Sequence, residues 1–314
     1  MRRIGIRLSL VLTSIFLVSL LSCTLAFADD DIVASGDCGL YGDNLIWTLD
    51  SDGLLTISGE GEMANYYDPV THMSETRPPW ASYVSDIKSL QLDEGITSIG
   101  NMAFENLSSL QGSLVIPDTV TTIGYSSFAR NTGLIGTLEI PDSVITVEDN
   151  AFRYCTGFTK LKLGKGLKTI GGCAFGSSEY YNTMNFSGSL IIPDGVETIG
   201  WYAFGNCKKF TGNLVIPDSV KSIGDNAFWS CNGMKGSLEL GNGLETIGAQ
   251  AFLSTAFTGD LVIPSGIRRL ENDTFEGSFT GSLVLPDSLT YIGSQCFANC
   301  GFTGELHMRL LHER

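Results

Sequence analysis

From about residue 87 onward, apolar and polar positions follow a pattern that returns every twenty-odd residues. Each unit opens on a leucine with Ile or Leu two residues later, the openers being Leu90, Leu114, Leu138, Leu161, Leu190, Leu214, Leu238, Leu261 and Leu283. Successive openers lie 24, 24, 23, 29, 24, 24, 23 and 22 residues apart. Fourteen residues after each stands a phenylalanine: Phe104, Phe128, Phe152, Phe175, Phe204, Phe228, Phe252, Phe275 and Phe297. Phe is only 17 of 314 residues, so nine matches in nine do not come from composition. In a unit such as LVIPDTVTTIGYSSF (114–128), Leu114 and Ile116 point to the same side of a short strand. Pro117 ends that strand because it has no N–H for a ladder bond. Val120 and Ile123 return to the core, Gly124 is expected at a bend, and Phe128 fills the far side.

One unit of this kind cannot bury its own apolar side chains. Stacked units can, each Leu, Ile and Phe lying on its equivalent in the next. The pattern therefore predicts an α/β-type repeat solenoid, curved and dominated by short parallel strands, with nine full repeats and a partial tenth over 87–308. Nine strands at about 4.8 Å give a length of roughly 40 Å. A glycine stands two residues before most openers (Gly112, Gly136, Gly188, Gly212, Gly236, Gly259, Gly281, and Gly304 before Leu306) and reads as a bulge. The fourth unit lacks it, at Phe158-Thr159-Lys160-Leu161. The 29-residue interval contains Ser177 to Asn185, which must loop out of the stack as a surface insertion or a functional loop.

The recurring Ile-Pro-Asp-Ser-Val, then Ile-Gly, then Ala-Phe, often with Cys three residues later, resembles the BspA-like class of bacterial leucine-rich repeats. The resemblance covers roughly three quarters of the chain after residue 28. It implies a curved solenoid at the cell surface or outside the cell, with a role in adhesion to matrix proteins or other cells.

The ends depart from the repeat. Arg2, Arg3 and Arg7 precede an apolar run, Leu8 to Leu21, and then Ala26-Phe27-Ala28, so residues 1–28 read as a signal peptide cut before Asp29. Leu20-Leu21-Ser22-Cys23 offers an alternative, a lipoprotein box with Cys23 lipidated. Either way the product is expected to be secreted or at the cell surface, with no transmembrane segment in the mature chain. Residues 29–86 are expected to form a β-hairpin cap, with strands at Asn44 to Leu49 and Leu54 to Ser58 and an anchoring aromatic in Pro78-Pro79-Trp80. Asp50 and Asp52 before Gly53 read as a turn, since the ligands of an EF-hand do not follow. Residues 309–314 are off pattern, and self-association through this uncapped end is expected.

Charge and chemistry narrow the function. Removing residues 1–28 takes three arginines and no acid, moving the formal net charge from -15 to -18. Such a surface repels nucleic acid. His72, His307 and His312 are the only histidines, and none sits in a catalytic motif. Asp118, Asp142, Asp194, Asp218 and Asp287 recur with the repeat, which points to turns rather than to acid catalysis. Cys155, Cys207, Cys231 and Cys300 fall three residues after the repeat phenylalanine and read as reduced core thiols among seven mature cysteines. No C-x-x-C pair supports zinc. No enzyme activity, cofactor or metal is expected.

The residue between the two inward ones of each opening strand faces outward: Val115, Glu139, Lys162, Ile191, Val215, Glu239, Val262 and Val284. Five of these eight are β-branched and apolar, which strand propensity alone explains. The sharper reading is an apolar stripe on a concave wall that binds a protein or glycoprotein. The leading function is an adhesin-like binding module. A structural spacer without a specific ligand and an enzyme with an unrecognised site are the alternatives.

Overall fold

The computed structural model describes residues 31–67, 77–277, 279–304 and 306–307. The expected signal segment, Cys23, His72, His312 and the tail 309–314 lie outside them. The chain from Ile32 onward forms a solenoid of parallel-strand coils. No α-helix occurs among the described residues, and the segments between strands are turns, with a 3-10 turn at Ala81–Tyr83. The repeat solenoid of short parallel strands expected from the sequence is present, its strands joined by turns rather than helices.

Each coil contributes two short strands. The Leu-x-Ile/Leu strand forms one side, here the outer strand, as at Leu214–Ile216, paired in register with Leu238–Leu240. Eight residues after each opener comes a two-residue strand, the inner strand, as at Thr122–Ile123, Thr146–Val147 and Thr169–Ile170. Inner strands make one continuous eight-stranded parallel sheet from Gly61–Glu62 to Thr246–Ile247. Outer strands break into separate groups, and residues 114–116 and 190–192 form none.

The core explains the difference. The fourteenth-residue phenylalanines stack ring on ring: Phe104 on Phe128 at 5.3 Å, Phe128 on Phe152 at 5.3 Å, Phe228 on Phe252 at 5.2 Å. A second aromatic column lies nearer the outer strands. Where the two run side by side its steps are longer, by most for Phe158–Phe186 at 6.5 Å against 5.7 Å for Phe152–Phe175 and for Phe257–Phe279 at 6.3 Å against 5.4 Å for Phe252–Phe275. The excess is small for Phe186–Phe210, at 5.9 Å against 5.8 Å, and for Phe279–Phe302, at 6.2 Å against 6.0 Å. A stack whose step grows from one side to the other must curve. The inner strands stay within hydrogen-bonding distance and line the concave side; the outer strands splay.

The repeat glycine has a different role from the bend expected of it. A Cβ at Gly124 would lie 2.6 Å from the Ile99 carbonyl oxygen, so this position keeps coils in contact. The bend falls two residues later, where Met102, Ser126, Asn150 and their equivalents hold φ of 48–60°. Non-glycine residues tolerate this left-handed turn because the next coil receives their N–H, as Ser126 N–H donates to the Asp149 carbonyl at 3.0 Å.

The N-terminal segment closes the first coil and contains two strands more than the pattern predicts, Ile32–Gly39 and the short Gly61–Glu62. β1 (Ile32–Gly39) pairs antiparallel with β2 (Gly42–Asp50), which pairs with β3 (Leu54–Gly59). β3 then runs parallel to the first outer strand, with Leu55 opposite Leu90. Trp80 is fully buried and lies on Phe104 at 5.4 Å and 10°, so it starts the aromatic column. Its indole N–H donates to the Ala103 carbonyl at 3.0 Å. Asp50 accepts the N–H groups of Asp52 and Leu54, which makes the Asp-Ser-Asp-Gly segment an Asx turn.

Candidate functional site

The outward residues of the outer strands divide into two kinds. Val115, Ile191, Val215 and Val262 are 71%, 76%, 51% and 53% exposed, whereas Val284 is half-buried. Lys162 and Glu139 sit opposite each other in register and form an ion pair, and the bonded carboxylate raises the lysine pKa. Both ends are well exposed, so the pair adds little stability. Glu239 stands opposite Val215. The stripe therefore exists as a row of side chains, but it lies on the splayed, convex side. The row runs on the side of the coil opposite the inner strands.

Where the long interval interrupts the stack, an apolar cleft of about 490 Å³ opens on this side. Leu161, Leu163, Ile191 and Ile192 line it, with Lys162 and Lys165 at its margin. Two stripe residues, Lys162 and Ile191, thus fall in one cavity. Residues 177–185 are tied down rather than free. The Asn206 amide donates to the carbonyls of Glu179, Tyr180 and Asn182, and Asn185 donates to the Thr156 carbonyl at 2.7 Å. Tyr154 donates to the Glu179 carboxylate, which also lies 3.7 Å from Arg153.

The concave side carries a pattern that the apolar repeat does not single out. The first residue of each inner strand or its equivalent is Ser98, Thr122, Thr146, Thr169, Thr198, Ser222 and Thr246 in seven successive coils. Three residues further on, side chains bridge coils. Asn101 accepts the Tyr125 N–H at 2.8 Å, Asp149 that of Gly172 at 2.5 Å, Asp225 that of Ala249 at 2.8 Å. This position also holds Tyr125 and Trp201, the first stacked on Tyr67 at 5.1 Å and the second 42% exposed. Of these residues, Ser98, Asn101, Thr122, Tyr125, Asp149 and Trp201 line a groove of about 750 Å³. Ser or Thr recurring eight residues after the first seven openers was the available signal in the sequence.

The remaining polar groups serve the stack. Cys155, Cys207 and Cys231 donate S–H to the carbonyls of Phe128, Phe175 and Phe204 in the preceding coils. Burial pushes Cys155 and Cys231 up to about 12 and Cys207 well above its ordinary value. Asn131 takes the same place in its coil, accepting the Leu107 N–H and donating to the carbonyls of Phe104 and Phe128. Asp142 and Asp218 reach past their own turns to accept the N–H groups of Lys165 and Asn242 in the next coil. Among the described residues, no three His, Cys, Asp or Glu side chains converge as metal ligands. No helix among them is long and apolar enough to cross a membrane.

Comparison with known proteins matches the BspA type leucine rich repeat region to residues 81–190 and 175–303, in six copies. Comparison with curated proteins gives no match. Among solved structures, the chain is similar to a leucine-rich repeat protein of Bacteroides ovatus, at 23% identity and a TM-score of 0.56. That match covers 83% of this chain and 68% of the other. It is also similar to a leucine rich cell surface protein of Faecalibacterium prausnitzii, at 21% identity and a TM-score of 0.50 over 83% and 74% of the two chains. At these identities the likeness shows the fold.

Proposed function

The chain belongs to the BspA-type leucine-rich repeat family, and from that premise we propose that it is a non-enzymatic binding module. It works at the bacterial surface or outside the cell, with an adhesin-like role. Its partner is a protein or glycoprotein, held on the splayed side by Val115, Ile191, Val215 and Val262, with Val284 at the margin. Glu139, Lys162 and Glu239 set polar contacts along the stripe.

The observation that carries this reading is the coincidence of the stripe with a cleft. Ile191 is the most exposed apolar residue of the row and also lines the apolar cavity beside Leu161 and Leu163. An aliphatic side chain held in water beside an unfilled apolar cleft favours a partner that covers both. Lys162 and Lys165 at the rim suit a partner with acidic groups beside its apolar contact. Family membership favours surface display, and the cell surface protein of F. prausnitzii has a similar fold.

The test is surface binding to immobilised matrix glycoproteins and to extracts of other bacterial surfaces. Wild type is compared with the triple variant Val115→Lys, Val215→Lys, Val262→Lys and with Ile191→Asp. Exposed positions of this kind change stability by about 0.5 kcal/mol or less, so circular dichroism should not move. Loss of a saturable signal in both variants supports the reading. Unchanged binding in both contradicts it, and a complete lack of ligands would favour a spacer.

A further inference from the structure

We propose that the concave groove along the first inner strands is a second site, which binds a neutral oligosaccharide of about four sugar rings. It rests on neither the convex stripe nor that stripe's partner.

Two aromatic platforms mark the ends of the groove. At the cap end, Tyr125 is held against Tyr67 with the rings 25° from parallel. At the other end, Trp201 lies back across the coil below. A Cβ at Gly172 would stand 2.1 Å from the indole nitrogen, so the absence of a side chain there makes room for the ring. The indole faces the groove beside Asp149 and Arg153 although it belongs to the second coil beyond them. Trp201 and Tyr125 occupy equivalent positions of their coils, eleven residues after Leu190 and Leu114.

The floor of the groove is polar. Glu148, Asp149, Asn150 and Arg153 lie between the platforms, and Thr122, Ser98 and Glu62 extend the polar floor past Tyr125 toward the cap. Each coil advances by roughly 4.8 Å, close to the length of one pyranose ring. A sugar chain laid along the axis can therefore meet equivalent groups at each step. Its axial C–H faces stack on aromatic rings, and its vicinal hydroxyls donate to carboxylates and accept from hydroxyl and guanidinium donors. Burial and the neighbouring Asp149 raise the Glu148 pKa, a strain that a donated ligand hydroxyl would relieve.

Charge selects among saccharides. Three carboxylates against Arg153 leave the groove acidic, which disfavours uronic and sialic acids. A basic peptide would also feel this charge. However, Asp149 already accepts the Gly172 N–H, and Arg153 projects positive charge onto the same wall. The flat, exposed indole at one end and stacked tyrosines at the other fit rings better than an extended peptide, which would seek apolar side-chain pockets.

The experiment is a titration of the full chain followed by tryptophan fluorescence and calorimetry. The probes are cellotetraose, chitotetraose and mannotetraose, with pentalysine as the competing ligand class. At least one tetrasaccharide should bind saturably, with a fluorescence change that salt does not abolish. Trp201→Ala should weaken it roughly ten-fold, the loss of about one stacking contact. Trp201→Phe, which keeps a platform, should retain most of the affinity, and Val215→Lys should have none of these effects. The proposal is overturned if none of the three sugars binds at millimolar concentration, if pentalysine alone binds, or if Trp201→Ala binds as wild type does.

Discussion

The glycine that follows most inner strands sets how closely coils approach, Glu148 and Glu271 being the exceptions, and replacing one measures that approach. At Gly224 a Cβ would lie 2.6 Å from the Trp201 nitrogen, 2.8 Å from the Gly200 carbonyl carbon and 3.0 Å from the Trp201 Cα. All three atoms are backbone of the preceding coil, so no side chain can swing aside. Normal contact between such atoms is about 3.5 Å or more, so Gly224→Ala must push the two backbones apart locally, although Glu148 carries a Cβ at the same position and still donates its N–H to the Ile123 carbonyl at 2.9 Å. The bond from Gly224 N–H to the Ile199 carbonyl, now 2.8 Å, is strained by that shift. Overpacking of this kind costs about 1–3 kcal/mol. Gly212 provides the contrast. It holds φ of +85°, and the nearest atom to an added Cβ is the Ser189 hydroxyl at 3.5 Å. Gly212→Ala should cost only the left-handed backbone, about 1–2 kcal/mol, and Gly212→Asn less. Urea unfolding with a common m-value measures the three differences. A neutral Gly224→Ala, or one milder than Gly212→Ala, would refute the stacking role.

Three further outcomes follow from the core. Asn131→Ala removes three buried hydrogen bonds and strands the Leu107 N–H, a loss of about 2–4 kcal/mol in urea; Asn131→Cys should recover part of it, since Cys fills the same place in other coils. Phe228→Ala should cost about 3–5 kcal/mol because its ring is stacked on both sides, on Phe204 and Phe252, and a thermal melt within 2 °C of wild type, about 0.5 kcal/mol or less, would contradict this. Burial raises the thiol pKa of Cys155 and Cys231 from 9.0 to about 12, so their stabilisation is full below pH 9 and is lost as the pH rises toward 12. Melting temperature should fall over that window, and fall less when Cys155, Cys207 and Cys231 are replaced by Thr, the residue at the equivalent position 255.

The spine of the fold was legible because a buried column repeats one residue type at one spacing. Phe104 through Phe297 needed only counting, and the structure stacks them in that order. Curvature was not legible, since it depends on a difference of less than 1 Å between two aromatic columns that look alike in sequence. Val115, Ile191, Val215 and Val262 stand on the side of the coil opposite the inner strands. Gly124 misled for a related reason: glycine is needed both where φ is positive and where backbones touch, and only neighbours across the coil step distinguish the two. The hydroxyl column at Thr122, Thr146 and Thr169 was visible as a repeat, but alternation beside a buried Ile or Val is also what strand propensity produces. Trp201 gave no signal at all, because its position in the groove depends on Gly172 one coil away.

The central claim is that coils share one hydrophobic spine, tightly spaced along the inner strands and splayed along the outer ones. Hydrogen exchange of the native protein tests it most directly, by comparing the inner-strand amides of Gly124, Gly200 and Gly224 with residues 114–116 and 190–192. The account predicts that the inner amides, each bonded to the preceding coil at 2.7–3.0 Å, exchange at least about ten-fold more slowly. Equal exchange in both sets, or greater protection in the outer segments, would contradict it.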